Sequence, residues 1–63
     1  MKLPKPKILI DELKSEGWTL QRISDHVGAS PSALSRAKLG RTAIAWGTYK
    51  RLYELHRKVL YGY

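Results

Sequence analysis

The sequence predicts an all-α protein, a compact bundle of about four short helices. Apolar residues recur three and four positions apart in four segments, glycine or proline separates these segments, and no stretch alternates as a strand would. The chain has 63 residues and no cysteine, so one small domain is expected, with neither a disulfide nor a thiolate zinc site. Its stability must come from helix packing, from oligomerisation, or from both.

The predicted organisation is a basic N-terminal arm, residues 1–6, followed by a single domain, residues 7–63. Pro4 and Pro6 exclude a regular helix from the arm. The arm is either a frayed end or an extra contact to DNA phosphates.

The first helix is predicted over residues 7–16, where Leu9 and Leu13 share one face. The second is predicted over residues 20–27, with the Thr19 hydroxyl as its N-cap. The apolar stripe of this second helix is formed by Leu20, Ile23 and Val27.

The third helix is predicted over residues 31–39. Ser30 is a suitable N-cap and Pro31 a suitable first helical residue. The core side of this helix carries Ala33, Leu34 and Ala37. The opposite side is small and polar, which favours a surface that receives a partner.

Residues 40–47 are predicted to form a loop from which Ile44 and Trp46 fold back into the core. The fourth helix is predicted over residues 48–60, with its apolar residues, including a packed His56, in an arc of about 160°. Its end and the tail offer more aromatic surface than a four-helix monomer easily covers. The candidate contacts of a weak homodimer are Tyr53, Leu60, Tyr61 and Tyr63.

The charge of the chain is strongly positive and uneven. Twelve Lys and Arg residues against five Asp and Glu residues give a net charge of +7. Residues 1–31 hold five bases and four acids, whereas residues 32–63 hold seven bases and one acid. This balance favours a polyanionic partner, either nucleic acid or an anionic membrane surface, contacted mainly by the second half.

The junction of the second and third helices carries the pattern that points to function. Val27-Gly28-Ala29-Ser30 is a short, glycine-containing turn between two short helices, which is typical of a helix-turn-helix. Ser24 is small enough to let the two helices cross closely. The apolar residues expected to join them are Ile23, Val27 and Leu34.

The run from Trp18 to Arg36 resembles the helix-turn-helix of the phage repressor and Cro superfamily, whose members include relatives of the lambda and 434 repressors. The turn VGAS and, three residues further on, LSR are close to the family's pattern. Gly40-Arg41-Thr42 resembles its basic loop after the recognition helix. The resemblance covers residues 8–60 and implies a lambda repressor-like DNA-binding domain of the short, Cro type. Leu20 stands where the family often has a glutamine. Ala37 stands where the family has a bulky apolar residue, so we expect Leu39, Ile44 or Trp46 to fill that space.

This resemblance implies that the third helix enters the major groove of a double-stranded DNA operator. The residues implied to reach base edges are Pro31, Ser32, Ser35 and Arg36. The residues implied to hold phosphates are Thr19, Gln21, Lys38, Arg41 and Thr42. We therefore expect a sequence-specific transcriptional regulator, a Cro-type repressor associated with the nucleoid in the bacterial cytoplasm.

Two other classes of function compete with this interpretation. The helix-turn-helix could serve as a protein-interaction module, such as an antitoxin or a phage inhibitor of a host protein, with the tyrosines as contacts. The basic, amphipathic fourth helix could lie on a membrane surface, although a core requires its apolar arc. No segment has the ~20 apolar residues of a membrane span, and the N-terminal segment lacks the apolar stretch of a signal peptide.

Enzymatic chemistry has little support in the sequence. His26 and His56 lack the spacing of a metal-binding pair, and His26 is expected on the surface. No serine has a neighbouring acid–base partner, and no glycine-rich phosphate loop is present. We expect no catalysis, no metal, no cofactor and no small-molecule ligand.

Overall fold

The computed structural model describes residues 3–62, and within them it confirms the all-α class, with four helices and no strand. The helices are α1 Pro6–Ser15, α2 Leu20–Val27, α3 Pro31–Lys38 and α4 Trp46–Tyr61. The bounds of α2 are as predicted, whereas α4 begins two residues earlier than expected. Met1 and Lys2 of the predicted arm, and Tyr63 of the tail, lie outside the described residues.

The starts of α2 and α3 follow the predicted local signals. The Thr19 hydroxyl accepts a hydrogen bond from the Arg22 backbone N–H at 3.1 Å, and the Ser30 hydroxyl accepts one from the Ala33 N–H at 3.1 Å. Each bond satisfies a backbone donor that has no partner within the helix itself. Pro31 is the first residue of α3, where its missing N–H has no consequence.

The core lies where α4 crosses α1 and α2. Its fully buried side chains, from all four helices, are Leu9, Ile10, Leu13, Ile23, Val27, Leu34 and Leu52. Each of these positions belongs to a predicted apolar face, so the helical periodicity identified the core correctly. Within residues 3–62, α3 packs on α1 and α2 but not on α4. One side of α3 is therefore left uncovered.

Two polar contacts fasten the first part of the chain to α4. His56 is buried, as predicted, and its Nε2 lies 2.6 Å from Glu12 Oε1 on α1. The hydroxyl of the buried Tyr49 donates a hydrogen bond to the carbonyl of Pro4. Residues 3–5 of the predicted arm are non-helical as expected, and this bond holds them against α4. The prediction that Pro6 also lies outside a helix is wrong, because Pro6 is the first residue of α1, where its missing N–H has no consequence.

The prediction that Trp46 folds back into the core is wrong. Trp46 is 63% exposed and is the first residue of α4, rather than part of the preceding loop. From this position its ring stacks on the buried Tyr49, with 5.7 Å between ring centroids, but it lies at the edge of the core and stays largely exposed. Leu39 is also 64% exposed, so of the three residues expected beside Ala37 only Ile44 is partly buried against the core.

Candidate nucleic-acid interface

The α2–turn–α3 unit consists of two eight-residue helices joined by three residues, 28–30. Gly28 ends α2 with φ 77°, and its N–H donates to the Ser24 carbonyl at 3.0 Å. This left-handed conformation is readily adopted by glycine, as the sequence predicted. Ser24 is 8% exposed beneath the turn, in keeping with its expected role as a small residue between helices. Ile23 and Val27 of α2 and Leu34 of α3 are buried in the same apolar cluster, which joins the two helices as expected.

The four residues expected at base edges lie on α3. Ser32 and Arg36 are exposed, whereas Pro31 and Ser35 are half-buried. Ser32, Ser35 and Arg36 are three and four positions apart, so they lie on one face. No acidic residue occurs in α3. In the part of the chain that the structure describes, the Arg36 guanidinium makes neither a hydrogen bond nor an ion pair. This face therefore presents short hydroxyls and one available cation.

Four of the five expected phosphate contacts are exposed. They are Thr19, Gln21, Arg41 and Thr42. The Thr19 oxygen accepts the cap bond, which leaves its O–H to donate to another group. The Gln21 amide donates to Asp25 Oδ1 at 3.1 Å along α2. Arg41 follows α3 directly, and its N–H donates to the Arg36 carbonyl at 2.9 Å.

Lys38, the fifth expected phosphate contact, already has an anionic partner. Its ammonium lies 3.1 Å from the Asp11 carboxylate, which also pairs with Lys7 at 3.3 Å. The hydrogen bond from Lys38 is the main reason that the pKa of Asp11 is lowered below its usual value. Because this pair ties the end of α3 to α1, Lys38 has a structural partner that the sequence pattern could not reveal.

The structure adds an arginine that sequence reasoning left out of the site. Arg51 of α4 lies beside the turn, since a Cβ built on Gly28 would be 3.2 Å from its Nη1. It lines an open groove of about 660 Å³ with His26, Arg57 and Lys58, among others. The spacing of seven between Arg51 and Lys58 is the signal that could have placed them on one face of α4.

A second arginine, Arg22, packs against an aromatic ring on the surface of α2. Its guanidinium carbon lies 4.3 Å from the centre of the Trp18 ring, which also contacts the exposed His26 at 5.0 Å between centroids. Such a cation–π contact orients the guanidinium. Trp18 is partly buried against the core.

The expected dimer contacts lie along α4 and differ in exposure. Tyr53 and Leu60 are half-buried, whereas Tyr61 is 65% exposed and its ring lies edge-on to His56 at 6.0 Å. Together they leave partly exposed apolar surface along the second half of α4.

Two searches of the described residues bear on other classes of site. Residues 3–62 contain no group of three or more His, Cys, Asp or Glu side chains that could hold a metal ion. Among the helices of that span, none combines the length and the apolar character needed to cross a bilayer. Comparison of the chain with family models, curated proteins and solved structures gives no match.

Proposed function

We propose that the protein is a sequence-specific regulator that binds double-stranded DNA and acts as a Cro-type repressor. The observation that carries the proposal is the uncovered face of α3. This face lacks acidic residues and presents Ser32, Ser35 and an unpaired Arg36, with α2 packed firmly behind it. Repression itself rests on the resemblance to the phage repressor and Cro superfamily.

The dimensions of α3 support placement in the major groove. An α-helix with its side chains is about 10–12 Å across, and the major groove of B-DNA is about 12 Å wide. Pro31 lies at the N-terminal end of α3, where helix-turn-helix proteins contact base edges. The positive end of the helix dipole at this terminus also favours an approaching polyanion.

In this proposal each side chain on the outer face of α3 makes a different contact to the bases. Arg36 donates two parallel hydrogen bonds to a guanine, the commonest specific contact to DNA. Ser32 and Ser35 are short and discriminate less, and the Pro31 ring packs on a thymine methyl group. The phosphates on either side are held by Thr19, Gln21, Arg41 and Thr42. Because Lys38 is paired with Asp11, we assign the main cationic phosphate contact to Arg41 instead.

The alternative function, a protein-interaction module on the same scaffold, has less support at this face. Protein interfaces are centred on apolar, aromatic or arginine anchors. The α3 face has one arginine but no exposed aromatic or large aliphatic side chain between Pro31 and Lys38. The large exposed apolar side chain nearest to this face is Leu39, the C-cap of α3, and the others lie on different elements.

The test begins with selection of bound sequences from a random DNA pool. Operators that vary one base pair at a time are then compared with wild type, Arg36→Ala and Arg36→Lys. We expect Arg36→Ala to lose about 1–3 kcal/mol on the preferred operator and to flatten the preference at one base pair. Lysine restores the charge but not the paired donors, so Arg36→Lys should not restore that preference.

Lys50→Ala is the matched control, because Lys50 is an exposed base on α4, which does not pack on α3. It should lower affinity for all operators slightly and equally. Thermal melting of each variant shows whether the fold is intact, and little change is expected at these exposed positions. If no sequence is enriched from the pool, the proposal is wrong. An equal loss on every operator for Arg36→Ala would make Arg36 a phosphate contact.

A further inference from the structure

A groove of about 690 Å³ lies between the N-terminal segment and the loop that follows α3. We call it the arm–loop groove, and it is defined by Leu3, Ala37, Leu39, Ile44, Trp46 and Tyr49. It is separate from the face of α3 that carries Ser32 and Arg36, neither of which lines it. None of the proposed DNA chemistry uses its apolar walls.

Several large apolar side chains are exposed together around this groove. Three large side chains that line it are Leu3, Leu39 and Trp46, with 46%, 64% and 63% of their surface exposed. Clustered exposed apolar side chains, unlike single ones, mark interaction sites. Packing in the monomer therefore leaves this cluster available to a partner.

The walls of the groove are held in place by specific contacts. The hydrogen bond from Tyr49 to the Pro4 carbonyl fixes the N-terminal wall. Along α4, the ring of Trp46 stacks on Tyr49 at 5.7 Å, and Tyr49 stacks on Tyr53 at 6.3 Å between centroids. A surface that is organised before binding loses less conformational entropy when a partner docks.

The charge around the groove identifies the kind of partner. Its charged lining residues are Lys5, Lys7 and Lys38, with no acidic residue among the lining. Asp11 pairs with two of these lysines, which leaves the rim net positive. A second copy of this chain, itself of net charge +7, would place one basic rim against another. A segment rich in carboxylates would be attracted instead.

We propose that the arm–loop groove binds an acidic segment of another protein that inserts large apolar side chains between Leu39 and Trp46. Carboxylates beside those anchors pair with the lysines of the rim, Lys5 above all, since Lys7 and Lys38 share Asp11. This interaction uses none of the four residues proposed to read bases, although Thr42, a proposed phosphate contact, also lines the groove. It gives the protein a second partner of defined chemistry.

The test uses a phage-displayed library of random peptides selected on the immobilised full-length chain. Peptides of about nine residues span roughly 30 Å when extended, comparable with the 29 Å extent of the molecule. The enriched peptides should be acidic and carry at least two large apolar residues. One of them is then synthesised, and its affinity is measured by fluorescence anisotropy.

Matched variants locate the peptide on the protein. Leu39→Ser should weaken binding about tenfold or more. Ile8→Ser is the control, because Ile8 is 47% exposed on α1 but does not line the groove, and it should leave affinity unchanged. Lys5→Glu should weaken acidic peptides and favour basic ones. Operator binding by Leu39→Ser, measured in parallel, should equal that of wild type, which separates this proposal from the DNA-binding one.

Four outcomes would overturn the proposal. They are the absence of enriched peptides, enrichment of basic or uncharged peptides, equal effects of Leu39→Ser and Ile8→Ser, and a homodimer that Leu39→Ser dissolves in sedimentation equilibrium. Melting curves of the variants guard against a trivial loss of fold, which is not expected because Leu39 is largely exposed.

Discussion

Replacing Gly28 by alanine tests whether the turn between α2 and α3 depends on a left-handed residue. Gly28 has φ 77° and ψ 15°, a conformation that disfavours side chains by about 1–2 kcal/mol. The new Cβ would lie 3.2 Å from Arg51 Nη1, but the end of this flexible side chain can move aside. We therefore expect Gly28→Ala to lower the free energy of unfolding by about 1–2 kcal/mol, nearly all of it from the backbone.

For a chain of this size such a loss is easily measured. Marginal stability of about 0.05–0.15 kcal/mol per residue corresponds to roughly 3–9 kcal/mol in total. Each kcal/mol shifts the melting temperature of a small domain by about 4–8 °C. Urea titration and thermal melting, both followed by helical circular dichroism, provide the free energy and the melting temperature.

Two other glycines supply matched controls for the same substitution. Gly40 has φ 76° with no atom within 4 Å of a built Cβ, so Gly40→Ala should lose a similar amount without the Arg51 contact. Gly47 lies within α4 at negative φ with open space around it, so Gly47→Ala should stabilise by up to about 1 kcal/mol. The reasoning is refuted if Gly28→Ala is as stable as wild type, or if all three substitutions act in the same direction.

Three further predictions concern charge, pH and assembly. Arg41→Ala should weaken binding to all operators alike. It should also reduce the slope of log affinity against log salt concentration by about one, since each phosphate contact contributes about −0.9. An unchanged slope would show that Arg41 does not contact a phosphate. Burial, and to a lesser degree the neighbouring Tyr53, raises the pKa of the Tyr49 phenol above 10.0, so the folded state holds this proton more tightly than the unfolded state. Stability from this group is fully present below pH 10 and falls as pH rises through the folded pKa, and urea titrations in alkaline buffer should show this fall in wild type but not in Tyr49→Phe. Sedimentation equilibrium should reveal a weak dimer. Tyr61→Ser should weaken this dimer, and DNA with half-sites roughly 34 Å apart should strengthen it. A protein that is monomeric at every concentration and binds a full site one-to-one would contradict the predicted dimer.

Much of the fold could be predicted because its signals are local. The caps at Thr19 and Ser30 and the left-handed Gly28 depend on groups three or four residues away, which the sequence displays directly. The same holds for the apolar faces, whose period follows from helix geometry. The face of α3 that carries Arg36 could also be predicted, because helical spacing alone places its residues together.

Other features depended on which helices meet in space. The pairing of Lys38 with Asp11 joins residues that are far apart in sequence. In the sequence, each of the two looks like an ordinary charged residue exposed to solvent. Trp46 is a large apolar residue of the kind usually found in a core. Other side chains fill the core of this protein, and Trp46 is left 63% exposed. The sequence by itself determined the four helices, the caps of α2 and α3, and the polar outer face of α3. Tertiary packing alone decided which cations are already paired and which apolar residues remain uncovered, because both depend on contacts between residues distant along the chain.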